Sequence, residues 1–177
     1  MKFFLITLVS LLSVGLVFFA CNLGAKSNIS RDDSTNYRKV PLELSFQRAE
    51  EEVIQLSDLR GKTVFINFWA SWCPTRREEM PSLNNLYQKY KKDENVAFVL
   101  VNEDKDTTEA RAYLRERNFD LPILKQASDI PKSVFTGELP TTVLLDKKGR
   151  VIYREDELVD FKHERFAKLL DSLRLQE

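Results

Sequence analysis

The sequence predicts an α/β domain in which helices flank both faces of a central mixed β-sheet. Two apolar runs, TVFINFWA (63–70) and VAFVLV (96–101), are typical of strands buried on both faces. A segment with apolar residues at helical spacing follows the first run. TTVLLD and RVIYRE, which DKKG joins, indicate an antiparallel hairpin. Crossover helices between parallel strands, followed by this hairpin, give a mixed sheet.

The elements before and after the first buried strand follow from local patterns. VPLELSF (40–46) and EEVIQL (51–56) predict short strands, and SDLRG predicts a helical turn. A helix is expected over residues 74–92, where apolar side chains recur on one face. Pro81 lies inside this helix and is expected to kink it, because proline lacks the amide N–H of a helical hydrogen bond.

The second half of the domain is predicted in the same way. A helix over residues 107–117 is expected to begin at the cap residue Asp106, with Glu109 completing a capping box. LPILK (121–125) predicts a short strand. An apolar stripe indicates a closing helix and consists of Phe166, Leu169, Leu170 and Leu173.

The N-terminus has the pattern of an export signal. One lysine precedes an apolar run without acidic residues over positions 1–20, and the run ends in a small residue directly before Cys21. This pattern favours a bacterial lipoprotein leader, with lipid attached to Cys21; an uncleaved transmembrane anchor and a freely secreted form are the alternatives. Residues 21–39 predict a flexible tether, and residues 40–177 the folded domain.

Charge and composition exclude several function classes. Lys plus Arg and Asp plus Glu are 27 each, so no basic field exists to attract nucleic acid. The single histidine, His163, leaves no ligand set for a metal, and no glycine-rich phosphate loop is present. We therefore expect no cofactor, no metal and no nucleic-acid partner.

SWCPTRREEM (71–80) carries the candidate reactive group. Cys73 follows a buried strand and precedes a helix, whose free N–H groups and dipole stabilise a thiolate. Pro74 suits the first helical position because no hydrogen bond is lost there. Arg76, one turn later, is expected to face solvent and to add a positive charge near the sulfur. The alternative interpretation is an inert, buried cysteine.

Arg76 also stands where dithiol exchange would need a second thiol. In that reaction a second cysteine attacks the mixed disulfide and releases the substrate. Arginine cannot do this, and Cys21 is not available if it carries lipid. Cys73 can therefore react once, and completing the reaction requires an external thiol. No structural disulfide is expected.

Two blocks of the sequence resemble one family. QLSDLRGKTVFINFWASWCPTRREEMPSL is similar to the core of the thioredoxin-like, membrane-anchored thiol-disulfide oxidoreductases of the TlpA/ResA type. GELPTTVLLDKKGRVI resembles their second signature, and the similarity extends over residues 40–173. The resemblance implies a thioredoxin-like fold, disulfide reductase activity, and thiol or disulfide partners in the bacterial cell envelope, with the domain facing the periplasm or the exterior.

The resemblance also implies roles for individual residues. Pro140 would be cis and lie opposite Cys73, leaving the backbone of Leu139 to pair with an extended peptide. Glu79 would tune the thiol or relay protons, although a solvated charge explains it nearly as well. Trp72 would line the substrate groove.

Three functions follow from these observations. The first is an exported thiol-disulfide oxidoreductase that acts through Cys73 with an external resolving thiol, assisted by Arg76 and Glu79. The second is a redox-inactive module that binds peptides or a partner at Trp72, Arg76 and Pro140. The third is a thiol peroxidase, for which Ala70 stands where a threonine would be expected.

Overall fold

The computed structural model describes residues 39–48 and 52–176. The predicted leader, the tether up to residue 38 and the predicted lipid attachment at Cys21 lie outside the described residues. In chain order the elements are β1 (Ser45–Arg48), β2 (Glu52–Gln55), a 3-10 helix (Leu56–Leu59), β3 (Thr63–Trp69), α1 (Pro74–Tyr90), β4 (Val96–Asn102), α2 (Thr107–Glu116), β5 (Leu124–Gln126), β6 (Thr141–Leu145), β7 (Val151–Glu155) and α3 (Glu164–Arg174).

The described strands form a single seven-stranded sheet with the order β2-β1-β5-β4-β3-β6-β7. β3 runs parallel to β4 on one side and antiparallel to β6 on the other. β6 and β7 form the predicted antiparallel hairpin. All seven residues of β3 are buried, as expected of a central strand with helices nearby. The predicted mixed sheet is confirmed.

Several element boundaries differ from the sequence-based expectation. The strand predicted over 40–46 begins only at Ser45, because the residues before it make backbone hydrogen bonds that are not part of a β-ladder. Val40 N–H, for example, donates to the Gly149 carbonyl at 3.1 Å. In the LPILK segment the strand begins at Leu124, after Pro122, which has no N–H for a ladder. The predicted cap of α2 is confirmed, since the Asp106 carboxylate accepts the Thr108 N–H at 2.8 Å.

Helix α1 continues through Pro81 without ending there. Proline at this position removes the N–H that would bond to the Arg77 carbonyl. The Tyr113 hydroxyl of α2 lies 3.5 Å from that carbonyl and donates toward it. A neighbouring helix therefore supplies the donor that proline lacks.

Two buried clusters pack on the sheet. The first contains Phe65 and receives residues from all three α-helices, and the Phe65 ring centroid lies 5.4 Å from that of Phe161 and 5.9 Å from that of Phe166. The second contains Phe68, whose ring stacks on Phe135 with centroids 4.0 Å apart, and the 3-10 helix contributes to it. Burial of these aromatic rings stabilises the core. No helix within the described residues is long and apolar enough to cross a membrane.

Candidate active site

Cys73 lies where the sequence predicts, between the end of β3 and the first turn of α1. It occupies the N-cap position in an extended conformation, with φ −79° and ψ 114°. Its carbonyl accepts the Arg77 N–H at 3.1 Å, and Pro74 takes the first helical position. The residue is 7% exposed and forms no disulfide. The sulfur therefore lies at the positive end of a helix dipole, and solvent has little access to it.

The turn before Cys73 is held by Asp104, a residue that sequence reasoning missed. One carboxylate oxygen of Asp104 accepts the Ser71 N–H at 2.8 Å, and the other accepts the Asn102 side-chain amide at 3.1 Å. Asp104 is buried and follows β4, the parallel neighbour of β3. The sequence signal that could have found Asp104 is a carboxylate two residues after the end of a buried strand, because the carboxyl ends of neighbouring parallel strands meet.

Arg76 is fully buried, which corrects the expectation that it faces solvent. Its exposed fraction is 0% and that of Glu79 is 1%. Nη1 of Arg76 donates a hydrogen bond to Oε2 of Glu79 within an ion pair. Both residues continue the buried stripe of α1, because Arg76 lies four residues before Met80 and Glu79 lies four residues before Leu83. Extending the predicted apolar stripe of this helix by one turn toward its N-terminus would have placed Arg76 on the buried face.

Glu79 connects the helix to the segment between β7 and α3. Its Oε1 accepts the N–H of Val159, and its carbonyl accepts the Ser82 hydroxyl at 2.8 Å. Ser82 Oγ in turn accepts the Phe161 N–H at 3.4 Å. Glu79 is therefore a buried, hydrogen-bonded group, and the alternative of a solvated surface charge is wrong.

Burial opposes ionisation of both members of the pair. It lowers the pKa of Arg76, against the raising effects of the charges on Glu79 and on Cys73. Arginine nevertheless stays protonated, because its pKa starts far above neutrality. Burial raises the pKa of Glu79 above its ordinary value, although Arg76 and the Val159 N–H pull it downward. Each charge depends on the other, since an isolated buried ion would be very costly.

Pro140 lies at the same edge of the sheet as the cysteine turn. The Leu139–Pro140 peptide bond is cis, as predicted. Thr141, the first residue of β6, pairs with Phe68 near the end of β3. Pro140, which precedes Thr141, therefore lies at the edge of the sheet where the Cys73 turn begins. Trp72 is 62% exposed on this turn. The structure thus places Trp72, Pro140 and Cys73 around one end of the sheet.

Metal ligands do not gather in the described part of the chain. Within residues 39–48 and 52–176, no group of three or more His, Cys, Asp or Glu side chains has the spacing of a metal site. His163 instead caps α3, where its Nδ1 accepts the Arg165 N–H at 3.2 Å.

Comparisons with known proteins identify the family. The family model described as Redoxin matches residues 37–170. The thiol-disulfide oxidoreductase ResA of Oceanobacillus iheyensis is 30% identical over 146 residues, which covers 78% of this chain and 76% of that relative. The chain belongs to the redoxin family and is of the TlpA/ResA type.

Other similar proteins agree with this membership. The ResA of Bacillus cereus is 35% identical to this redoxin over 104 residues, and the match covers 58% of this chain and 60% of that relative. The chain thus spans less than two thirds of the Bacillus relative. A thiol-disulfide oxidoreductase from Bacteroides fragilis has a TM-score of 0.61 at 24% identity, covering 77% of this chain and 99% of that one. A thioredoxin family protein from Chlorobium tepidum has a TM-score of 0.61 at 19% identity, covering 79% and 99%. These two structures confirm the predicted thioredoxin-like fold.

Proposed function

We propose that this redoxin is a thiol-disulfide oxidoreductase that acts through Cys73 alone and depends on an external thiol. One observation carries the proposal. Cys73 keeps its place at the N-terminus of α1, whereas the position one turn later holds the buried ion pair of Arg76 and Glu79. The site therefore has the features that activate a thiol and lacks the thiol that would resolve its product.

The proposed reaction has three exchange steps. The Cys73 thiolate attacks one sulfur of a substrate disulfide, a Cys73 mixed disulfide forms, and the other substrate sulfur leaves as a thiolate that takes up a proton. An external thiolate then attacks the Cys73 sulfur of the mixed disulfide, so the substrate leaves as a dithiol and Cys73 carries the external thiol. A second external thiolate attacks the external sulfur of this adduct, which releases Cys73 and leaves the external thiol as its disulfide. The helix N-terminus and Arg76 favour this release, because both stabilise the departing Cys73 thiolate.

Arg76 and Glu79 have separate proposed roles. Arg76 is too deeply buried to contact a protein substrate, so its proposed role is to hold a positive charge near Cys73. Glu79 is a positioning residue, because it binds Arg76 and fixes the Val159 amide. Substrate contacts are proposed for Trp72, Pro74 and the Leu139–Pro140 backbone, which lie at the surface edge of the turn or beside it.

The proposed location is the bacterial cell envelope, with the domain tethered to a membrane on the periplasmic or exterior side. The support is the export pattern of residues 1–20 and the small residue directly before Cys21. The partners would be thiols and disulfides of envelope proteins or of small molecules.

A redox-inactive binding module is the second candidate, and one observation favours it. Trp72 is 62% exposed beside a cysteine that is 7% exposed. An exposed tryptophan is suited to binding a partner, whereas a nearly buried sulfur reacts slowly with a bulky disulfide. In this candidate Trp72 forms the surface, whereas Arg76 and Pro140 are both buried.

The two candidates are separated by disulfide reduction with the full-length chain. Cys21→Ser leaves Cys73 as the one thiol, and the matched control adds Cys73→Ser. We expect reduction of insulin disulfides to require both Cys73 and added glutathione, with a glutathione adduct on Cys73 seen by intact mass. Absence of any mixed disulfide, with rates equal to the control, would reject the oxidoreductase and leave the binding module.

A further inference from the structure

The backbone of Leu139 has no hydrogen-bond partner at the point where the chain passes the cysteine turn. Neither the N–H nor the carbonyl of Leu139 is paired within the described residues. Its side chain, by contrast, is half-buried and packs against the cluster that contains Phe68. The side chain therefore anchors the residue while both backbone groups stay available. An unpaired N–H and carbonyl beside an exposed residue, here Glu138, are suited to pairing with an extended peptide.

Thr141 holds the chain immediately after this position. Its hydroxyl oxygen lies 3.0 Å from the Glu138 carbonyl and 2.8 Å from Oδ1 of Asp156, so the hydroxyl donates toward two acceptors. The residue is 0% exposed. The bond to Glu138 closes the chain across Leu139 and Pro140 and so limits where their backbone can lie. One buried hydroxyl therefore spans the segment that is proposed to contact substrate.

Asp156 connects this hydroxyl to Arg154. Arg154 lies in β7, and Asp156 directly follows that strand. Nε and Nη2 of Arg154 donate to the carboxylate oxygens of Asp156 at 2.9 to 3.1 Å, a bidentate geometry that fixes the orientation of both side chains. Nη1 donates to the carbonyls of Ser133 at 2.8 Å and Lys132 at 3.2 Å. Thr141, Asp156 and Arg154 thus form one continuous chain of hydrogen bonds, the Thr141 network.

The Thr141 network orders a long connection beside the cysteine turn. Residues 127–140 join β5 to β6 without a helix or strand of their own. The Phe135 ring of this connection stacks on Phe68, and Arg154 binds the carbonyls that precede it. Exposed ion pairs contribute little to stability, and the Arg154 and Asp156 side chains are 23% and 44% exposed. The network is therefore better suited to orienting the connection than to stabilising the fold.

We propose that the Thr141 network consists of positioning residues for substrate, which hold the N–H and carbonyl of Leu139 where they pair with an extended polypeptide beside Cys73. The inference rests on the proposed function, which assigns substrate contacts to the Leu139–Pro140 backbone. It also narrows the substrate class. A disulfide carried by an extended polypeptide gains affinity from these backbone contacts, whereas a small-molecule disulfide without a peptide backbone does not.

The test measures peptide binding to the full-length Cys21→Ser/Cys73→Ser chain. The probe is the insulin B chain with its cysteines carboxymethylated, so that binding needs no disulfide exchange. Thr141→Val keeps the side-chain volume and removes the hydroxyl, whereas the matched control Thr141→Ser keeps the hydroxyl. Calorimetry should show a dissociation constant about fivefold higher or more for Thr141→Val and little changed for Thr141→Ser. Asp156→Ala should also weaken binding, whereas Glu157→Ala, which removes the next carboxylate along the chain, should not.

A second measurement separates positioning from general damage to the site. In the Cys21→Ser chain, dithiobis(nitrobenzoate), a small disulfide without a peptide backbone, should react with Cys73 at the same rate whether or not Thr141→Val is present. A fall in this rate that matches the loss of peptide affinity would overturn the inference. So would equal peptide affinity of Thr141→Val and Thr141→Ser, or no peptide binding by the parent chain.

Two further comparisons keep the outcome decisive. If Thr141→Val does not fold, the difference in peptide affinity between Asp156→Ala and Glu157→Ala decides, and equal affinities would overturn the inference. Failure of glutathione-dependent insulin reduction, with the expected binding pattern intact, would reject the proposed function and keep this inference. Insulin reduction that proceeds while Thr141→Val binds the peptide as tightly as its parent would do the opposite.

Discussion

Replacing Arg76 with methionine leaves the Glu79 carboxylate buried without its cation. Breaking a buried ion pair by removing one partner typically costs about 3 to 5 kcal/mol of unfolding free energy. Both side chains are at most 1% exposed, so the weak values typical of surface pairs do not apply. Methionine fills much of the arginine volume, which keeps the cavity contribution small. Glu79 also keeps the Val159 N–H. We therefore expect a loss of about 3 kcal/mol, at the lower end of that range.

Urea unfolding of the full-length chain measures this loss. For an m-value of about 2 kcal/mol/M, a loss of 3 kcal/mol lowers the midpoint by about 1.5 M. The cycle is completed by Glu79→Gln and by the double variant Arg76→Met/Glu79→Gln. In the double variant no charge remains buried, so its loss should be smaller than that of Arg76→Met alone. Additive losses, within about 0.5 kcal/mol, would refute the view that the two residues stabilise the fold as a pair.

The pH dependence of Arg76→Met gives an independent check on Glu79. Burial already raises the pKa of Glu79 in the folded protein, and removing Arg76 takes away a charge that lowers it. A carboxyl whose pKa is higher in the folded state binds more protons when folded. Stability is therefore greatest below the unfolded pKa and falls as pH rises through the folded pKa. The deficit of Arg76→Met should shrink as pH falls from 7 toward 5, and a deficit that grows would contradict this assignment.

Two further predictions concern the cysteine turn. Arg76→Cys supplies the missing thiol but leaves Glu79 unpaired, so we expect an intramolecular disulfide and turnover with a dithiol reductant only when Glu79→Gln accompanies it. Intact mass detects the disulfide, and insulin reduction measures the turnover. A double variant without a disulfide would contradict the expected geometry. Trp72 and Trp69 form a matched pair, because Trp72 is 62% exposed and Trp69 is 1% exposed. Trp72→Ala should change the free energy of unfolding by less than about 0.5 kcal/mol while lowering kcat/KM for a disulfide substrate. Trp69→Ala should lower the free energy of unfolding by about 3 to 5 kcal/mol. A large stability loss in Trp72→Ala would argue against a surface role for Trp72.

Local patterns were sufficient for most of the fold. The strands at 63–69 and 96–102 and the helix from Pro74 follow from apolar runs and helical periodicity, which depend on neighbouring residues. The cap at Asp106 follows from side-chain chemistry within one turn. The cis peptide before Pro140 was implied by the family resemblance and is present. The short strands were less predictable, because their limits depend on which distant segment supplies a ladder partner.

The sequence by itself determined that Cys73 begins a helix after a buried strand and that no thiol stands at position 76. Both facts are local and hold for any packing of the helix. Only the tertiary structure decided that Arg76 and Glu79 are buried as a pair, because their cover includes Val159, 80 residues after Glu79. It likewise brought Asp104 to the Ser71 amide, 33 residues away. A charge on a helix is solvated or buried according to what packs over it, and that depends on contacts between segments far apart in the chain.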